Sequence, residues 1–455
     1  PELPLGPKSP PPVPSIPPQP QPPPPPSPPP PSMPPPPSAP PGGLSTLYVN
    51  SVDGGLIANG KTALNIKGVT WKGPETGAKP PNGLQHHPVD WYLDFLVSHG
   101  FNAIRLPINH RDVLDNLPVD LTGLDSAPED WKGLTYLEML KSFTQKAAEK
   151  GLLVMVAAMR VGRTKLTDDE GGGLWFSDDI VEEDTVNSWF ALSQVLCPEW
   201  NVIGVDLLDE AQTSSWGKGL ITDWDRAASR IGDRVLKACP RWLVAVTGVG
   251  GTPGAPGADL PEEDPFFNGE NLVGVAVSQV ELSTPSKLLY AAHIYGPDKT
   301  NYEYFVDHHF PNNLPDIWER HFGFVPTLTG KPVLIAGIGG RHHGAFYRER
   351  EWQQTAFKFM KERNMPFFYD SLEPDGNGGG LLQDDWNKPE TEKFDMLKEY
   401  PATSISSIIA AAQHSPPPSP PPPRPPLPNP PPSPPSPRPK PPPPSPSPPS
   451  PPPQP

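Results

Sequence analysis

The sequence has no long hydrophobic run, fewer basic than acidic residues, two cysteines and no Asn-x-Ser/Thr sequon. A membrane-spanning helix needs about 20 apolar residues in succession, so no membrane insertion is predicted. The formal net charge of −15 argues against a nucleic-acid partner, because phosphate binding needs a basic face. Any attached glycan is expected to be O-linked, since N-linked attachment needs the missing sequon.

Proline is plentiful but unevenly distributed. Of the 76 prolines, 53 lie in residues 1–41 and 416–455, which offer almost nothing to bury. This composition favours extended polyproline II structure. We therefore divide the chain into a proline-rich segment at 1–42, a globular part at 43–413 and a second proline-rich segment at 414–455. The globular part is long enough to bury one large core.

Strand and helix patterns alternate through the globular part. After an expected hairpin at 46–63, eight short apolar segments are typical of buried parallel strands, at 63–71, 102–107, 152–158, from 202 onward, 242–246, 288–295, 332–338 and 366–369. Helical periodicity lies between them, at 87–99, 134–150, 180–195, 223–237, 314–321 and 348–363. Eight such units predict an α/β fold, a (β/α)8 TIM barrel, with polyproline II tails at both ends.

Residues 202–217, VIGVDLLDEAQTSSWG, place acids at the end of one predicted strand. Asp206, Asp209 and Glu210 follow the apolar run. The C-terminal ends of barrel strands are where barrel enzymes hold their active sites. On these residues alone, solvated acids at a strand end explain the pattern equally well.

Ordered motifs between about 47 and 400 resemble glycoside hydrolase family 5, the cellulase-type barrels. They are KGVTW at 67–71, FNAIRLP at 101–107, LWF at 174–176 and DGNGGGLLQDDW at 375–386. The resemblance implies that Glu210 is the proton donor. In the family a Trp-Gly pair follows the proton donor, and Trp216-Gly217 stand there in this sequence. It also implies that Arg105 is the arginine that contacts the nucleophile, and that His293 and Tyr295 are the family's paired His and Tyr.

The sequence departs from the family pattern in the cleft. Gly337, in PVLIAGIG, stands where the family has its nucleophilic Glu, and Met159 stands where it has a His. Asp370 replaces the aromatic platform, usually Trp, and Leu372 a second Trp. Retaining glycosidases need two carboxyls about 5–5.5 Å apart, and glycine offers no oxygen for this role.

These losses predict a pseudoenzyme, a non-catalytic extracellular structural glycoprotein with the barrel as bead and the tails as rods. The Ser-Pro-Pro-Pro blocks of the tails resemble hydroxyproline-rich glycoproteins of plant and green-algal walls, such as extensins and pherophorins. That resemblance implies secretion to the cell wall, cell surface or matrix, hydroxylated and O-glycosylated prolines, and matrix glycans and glycoproteins as partners. We also expect the tails to self-associate into a filament.

Two alternatives to the structural role stay open. One is a secreted β-glycanase with an altered mechanism, in which Glu210 pairs with another acid such as Asp370. The other is a carbohydrate-binding module whose Trp71, Trp175 and Trp216 stack on sugars.

The two cysteines, Cys197 and Cys239, each precede a proline at the predicted end of a helix, on either side of the Glu210 strand. A disulfide is favoured in an extracellular protein, and two free core thiols are the alternative. The paired histidines lack the carboxylate spacing of known metal sites, so neither a metal nor a cofactor is predicted. These pairs are His86-His87, His308-His309 and His342-His343.

Overall fold

The computed structural model of the chain describes residues 47–162, 173–250, 265–342, 347–374 and 379–413. Both proline-rich segments lie outside these ranges, so the polyproline II structure and the association of the tails stay predictions. Residues 375–378 of the motif at 375–386 and His343 also lie outside them.

Eight parallel strands close into a barrel in which each strand pairs with the next along the chain. These strands are β4 (Lys67–Thr70), β5 (Ala103–Asn109), β6 (Leu153–Arg160), β7 (Val202–Asp206), β8 (Leu243–Thr247), β9 (Leu288–Tyr295), β10 (Val333–Gly339) and β11 (Phe367–Asp370). The last strand, β11, pairs with β4 and completes the ring. The predicted α/β barrel is confirmed.

A small antiparallel sheet precedes the barrel. It consists of β1 (Val49–Val52), β2 (Gly55–Ala58) and β3 (Thr62–Ala63), in the order β1-β2-β3. The sequence predicts a two-stranded hairpin here. The turn after β2 returns the chain along it, so that Ile57 and Ala58 pair with Ala63 and Thr62 and a third strand forms.

Helices surround the barrel. They are α1 (Val89–Ser98), α2 (His110–Asp115), α3 (Tyr136–Glu149), α4 (Glu182–Leu196), α5 (Trp224–Ala238), α6 (Leu314–Trp318), α7 (Val325–Thr329), α8 (Tyr347–Glu362), α9 (Thr391–Lys398) and α10 (Ile405–Gln413). One turn of π-helix, Glu319–Gly323, joins α6 to the segment before α7. Among the described helices, none combines the length and the apolar content that crossing a membrane requires.

The barrel interior is apolar at the N-terminal ends of the strands. Inward side chains such as Ala103, Met155 and Phe368 pack there against Val49 of the small sheet and Ile405 of α10. Side chains on alternate positions point outward and form a second core beneath the helices. Apolar side chains fill the N-terminal half of the barrel interior. The inward polar side chains are therefore concentrated at the C-terminal ends of the strands.

A disulfide joins the ends of two neighbouring helices. Cys197 directly follows α4 and Cys239 directly follows α5, and their Cα atoms are 5.8 Å apart. The bond encloses β7, the strand that leads to Glu210, in a loop with a sequence separation of 42 residues. Closing a loop of this size lowers the entropy of the unfolded chain.

We expect the double variant Cys197→Ala/Cys239→Ala to unfold with a free energy about 2–4 kcal/mol lower than that of the wild type. Urea unfolding of both proteins measures this difference. A reducing agent should lower the midpoint of the wild type and leave that of the variant unchanged. If the wild-type midpoint does not respond to reduction, the disulfide does not contribute in this way.

Candidate functional site

Ten residues at the C-terminal ends of the strands line a cavity of about 200 Å³. They come from five barrel strands and from the segments that follow β4 and β7. They are Lys72, Arg105, Met159, Asp209, Glu210, His293, Tyr295, Ala336, Gly337 and Asp370. The sequence predicts that Arg105, Glu210, His293, Tyr295 and Gly337 share a site, and the structure brings all five together.

Arg105 binds two carboxylates inside the barrel. Its Nη2 donates to Asp206 Oδ2 at 2.6 Å and to Asp209, and its Nε donates to Asp206 Oδ2 at 3.1 Å. The Arg105 side chain is 1 % exposed, so its charge must be met by protein groups. Thr247 Oγ1 donates to the other oxygen of Asp206 at 3.1 Å. This network fixes the end of β7 and the direction of the segment that follows it.

Glu210 is positioned by an unusual backbone conformation. Its φ of 47° lies in the left-handed region, which non-glycine residues adopt rarely and often at functional sites. Desolvation, reinforced by the charges of Asp209 and Asp370, raises the pKa of Glu210 well above its ordinary value. The side chain keeps 30 % of its surface open to the cleft. Glu210 can therefore hold a proton and still reach a ligand.

Asp370 has the opposite electrostatic environment. Burial opposes its ionisation, but the charge and hydrogen bonds of Lys72, together with a hydrogen bond from Tyr295, outweigh it and lower the pKa of Asp370. Lys72 Nζ lies 2.9 Å from Asp370 Oδ1, and Tyr295 Oη donates to Asp370 Oδ2 at 3.0 Å. Asp370 is thus an ionised carboxylate held in one orientation at the end of β11.

Gly337 has no room for a side chain. The register between β10 and β9 shifts between Ile335 and Gly337, which turns Gly337 toward the barrel axis opposite His293. A Cβ atom on Gly337 would lie 2.5 Å from His293 Nδ1 and 2.7 Å from Tyr295 Oη. The place that a side chain would enter is therefore filled by two residues of β9.

The imidazole ring of His293 is buried without a hydrogen-bond partner among the described residues. Its side chain is 2 % exposed, and its Nε2 and Nδ1 lie 3.4 Å from Asp209 Oδ1 and 3.8 Å from Glu210 Oε1. Burial lowers the pKa of His293, so the ring is neutral near neutral pH. A neutral ring offers one donor and one acceptor to a ligand in the cavity.

Sequence reasoning misses one residue that lines the cavity, Lys72, and one that packs behind a lining residue, Phe267. Lys72 directly follows Trp71 beyond β4, and a cation at the C-terminal end of a barrel strand is the signal that could have identified it. Phe267 is half-buried, with its ring 4.6 Å from that of Tyr295. No sequence pattern marks Phe267, because it comes from the long segment between β8 and β9.

The three tryptophans predicted to stack on sugars are core residues, and that prediction is wrong. Trp71, Trp175 and Trp216 are 0 %, 1 % and 2 % exposed. Their indole N–H groups donate to Asn82 O, to Glu182 Oε2 and to Ser278 O. The rings lie between the barrel and its loops, where burial of a large aromatic surface stabilises the fold.

Asp206, Asp209 and His293 offer three ligand atoms within 4.8 Å of one another, as a metal site requires. Arg105 already donates to both carboxylates. A divalent cation would have to displace a buried guanidinium, so this donor set does not suit a metal.

A larger groove of about 750 Å³ lies on the outer helices. Its walls carry the exposed ion pairs Glu182–Arg230 and Glu183–Arg234 between α4 and α5. Such pairs are well solvated and need no ligand. The smaller cavity inside the barrel is therefore the candidate site.

The chain is similar to known cellulases and endoglucanases. The family model described as cellulase (glycosyl hydrolase family 5) matches residues 59–376. An endoglucanase from Paenibacillus polymyxa is 32 % identical over 359 residues, covering 78 % of this chain and 87 % of its own length. The major extracellular endoglucanase of Xanthomonas campestris is 30 % identical over 345 residues, covering 74 % and 67 %.

Solved structures give the same result. An endocellulase from Pyrococcus horikoshii, crystallised as a Glu-to-Ala variant with cellotetraose, superposes with a TM-score of 0.70 at 33 % identity. The superposition covers 78 % of this chain and 99 % of that one. These relatives are glycan-cleaving enzymes by name, which contradicts the prediction of a non-catalytic structural protein. They favour the alternative, a glycanase.

We expect Gly337→Ala to lower the free energy of unfolding by about 1–3 kcal/mol, because the new methyl group collides with His293 and Tyr295. Thermal or urea unfolding measures the change. Gly55→Ala is the matched control, since a Cβ there meets nothing closer than 3.7 Å. Adding His293→Ala to Gly337→Ala should cost less than the sum of the two single changes. Equal stability of Gly337→Ala and wild type would contradict the close packing described here.

Proposed function

The chain belongs to the cellulase family, glycosyl hydrolase family 5, and from that premise we propose that it is a secreted β-glycanase acting on β-1,4-linked glucan. Glu210 donates the proton to the departing sugar oxygen. Asp370 is the second carboxylate, in place of the one that Gly337 cannot supply. The cavity at the C-terminal ends of the strands holds the sugar residue at which the bond is cleaved.

The opposite pKa displacements of Glu210 and Asp370 carry this proposal. Both side chains line one cavity, and the pKa of Glu210 is raised while that of Asp370 is lowered. Two carboxyls driven apart in this way can be protonated and ionised at the same pH, as acid–base cleavage of a glycosidic bond requires. Asp209 contributes, since its charge raises the pKa of Glu210.

The glucan specificity is supported by the relatives and by the cleft. The relatives are named endoglucanases and an endocellulase, and one is crystallised with cellotetraose. Phe267, packed on Tyr295, supplies an apolar face against which a sugar ring can lie. Lys72 is 29 % exposed and can donate to a sugar hydroxyl while it holds Asp370.

Secretion is supported by the disulfide between Cys197 and Cys239, because disulfides persist in oxidising compartments. The Xanthomonas campestris relative is named an extracellular enzyme.

A second candidate function is glycan binding without turnover. Gly337 favours it, because the position that carries the nucleophile in the family pattern has no oxygen. The same assays separate the two functions, since a binding protein retains cellotetraose but releases no shorter product.

We expect the full-length protein to release reducing ends from cello-oligosaccharides and soluble cellulose derivatives. Glu210→Gln and Asp370→Asn should each lower kcat about 10²–10⁴-fold, because each removes one partner of the proton transfers. Glu362→Gln and Asp384→Asn, at exposed positions, are the matched controls and should retain wild-type rates. Cellotetraose binding by calorimetry with no product from the wild type would leave the binding function in place of the hydrolase.

We expect a bell-shaped pH dependence of kcat/KM. Activity needs an ionised Asp370 and a protonated Glu210, so the acidic limb lies below the ordinary Asp value of about 3.9 and the alkaline limb above the ordinary Glu value of about 4.3. Lys72 lowers the pKa of both carboxyls. Lys72→Met should therefore move both limbs to higher pH.

Lys79→Met, which removes an exposed amine, is the control for the pH experiment and should leave the profile in place. Unmoved limbs in Lys72→Met would show that Asp370 is not the group that titrates.

A further inference from the structure

We propose that Glu270 and His321 are a positioning pair for the cleft, which holds the segment 266–271 against the proton donor Glu210. The inference rests on the proposed hydrolase function, because it names what keeps that donor in place and shielded from water. Neither Glu270 nor His321 is among the residues that line the cavity. The pair therefore acts through the segment that it holds.

The segment 266–271 approaches the proton donor most closely at Gly269. A Cβ atom on Gly269 would lie 3.1 Å from Cα of Glu210 and 3.2 Å from Cδ2 of His293. Gly269 O also accepts a hydrogen bond from His293 N at 3.3 Å. The φ of Gly269 is 80°, a left-handed conformation that glycine adopts without strain. The backbone of the segment thus forms a wall directly beside two residues of the site.

Glu270 fixes the turn that carries Gly269. Its Oε2 accepts from Phe267 N at 2.7 Å, and its own N donates to Phe267 O at 3.1 Å. These two bonds hold the backbone of Phe267, whose ring lies 4.6 Å from the ring of Tyr295. The carboxyl of Glu270 therefore sets both the wall beside the proton donor and the apolar face of the cleft.

His321 holds the other oxygen of Glu270. Its Nδ1 lies 2.9 Å from Glu270 Oε1, and both side chains are buried. His321 belongs to the single turn of π-helix at Glu319–Gly323, and such turns are frequent at functional sites. The same turn contacts both ends of the segment, because His321 O accepts from Leu272 N at 3.1 Å and its ring lies 4.1 Å from that of Phe266.

Loss of either partner should release the segment. A buried carboxyl or imidazole without its hydrogen bond carries a desolvation penalty, which is relieved when water reaches it. Water can reach Glu270 only if the segment 266–271 moves outward, since Glu270 is buried beneath it. That movement withdraws Gly269 from Glu210.

The proton affinity of Glu210 reports this movement. Desolvation is the largest cause that raises the pKa of Glu210. Water admitted beside the backbone of Glu210 stabilises the ionised carboxylate, so the pKa falls toward its ordinary value. A pair that only stabilised the fold would lower the unfolding temperature and leave the titration of Glu210 unchanged.

Carbon NMR of the full-length protein, labelled at the glutamate carboxyl carbons, tests the inference by titrating Glu210, whose signal is assigned with Glu210→Gln. We expect His321→Leu and Glu270→Met each to lower the midpoint by about one pH unit, a typical displacement in folded proteins. His321→Asn should keep the wild-type midpoint, because the amide of Asn can still donate to Glu270. His308→Leu, which changes an exposed histidine, is the matched control and should also keep it.

Hydrolysis of cellopentaose gives a second measurement on the same variants. The alkaline limb of kcat/KM requires protonated Glu210, so it should move to lower pH in His321→Leu and Glu270→Met and stay in place in His321→Asn. Phe267→Ala should raise KM about 2- to 10-fold, because it removes the apolar face, and leave the limb in place.

An unchanged Glu210 midpoint in folded His321→Leu overturns the inference, and so does an equal fall in His321→Asn and His321→Leu. Should His321→Leu fail to fold, Glu270→Met decides in the same way, since it leaves the π-helical turn unaltered. A wild type that cleaves no cellopentaose rejects the proposed function, whereas the NMR titration still decides on the positioning pair.

Discussion

The buried ion pairs of Arg105 are the constraint on which the site depends. A guanidinium that is 1 % exposed cannot remain in the barrel without carboxylates around it. Asp206 and Asp209 meet that need, and Asp209 immediately precedes Glu210 in the chain. The packing that keeps a charge inside the barrel therefore also fixes the proton donor.

This coupling changes what the retained residues mean. Arg105 and Asp206 would be kept for stability even in a barrel that has lost all activity, because removing either leaves a buried charge without its partner. Their presence is therefore weak support for catalysis. Lys72 and Asp370 give stronger support, because this largely buried pair sets the ionisation of a carboxylate that lines the same cavity as Glu210.

The fold and most of the site could be predicted from the sequence. Eight apolar segments alternating with helices predict the barrel, and motifs at strand ends predict that Arg105, Glu210, His293 and Tyr295 meet. Closure of a parallel barrel brings all strand ends to one rim, so one-dimensional order is enough to place such residues together. The third strand of the small sheet was beyond this reasoning, because it has two residues.

Side-chain direction and function were the parts that sequence could not supply. Trp71, Trp175 and Trp216 stand near strand ends, but whether an indole faces the cleft or the core depends on loops packed over it. Because Gly337 has no carboxylate, the sequence predicted an inactive protein. The sequence does not show that Lys72 lies beside Asp370, another carboxylate in the same cavity. An ion pair between residues 298 positions apart has no local pattern.

The small sheet of β1, β2 and β3 and helix α10 both pack against the N-terminal ends of the barrel strands. This packing decides where a support or a partner enzyme can be attached to the protein. The first continuous described range begins at Leu47 and the last ends with α10, and Leu47 and Ile405 pack in the same cluster at the N-terminal ends of the barrel strands. Leu47 and the start of α10 thus both lie on the face of the barrel opposite the cleft. A solid support, a reporter or a second enzyme joined directly at Leu47 would therefore be attached on the side of the barrel opposite the cleft, away from the approach of a polymeric glycan.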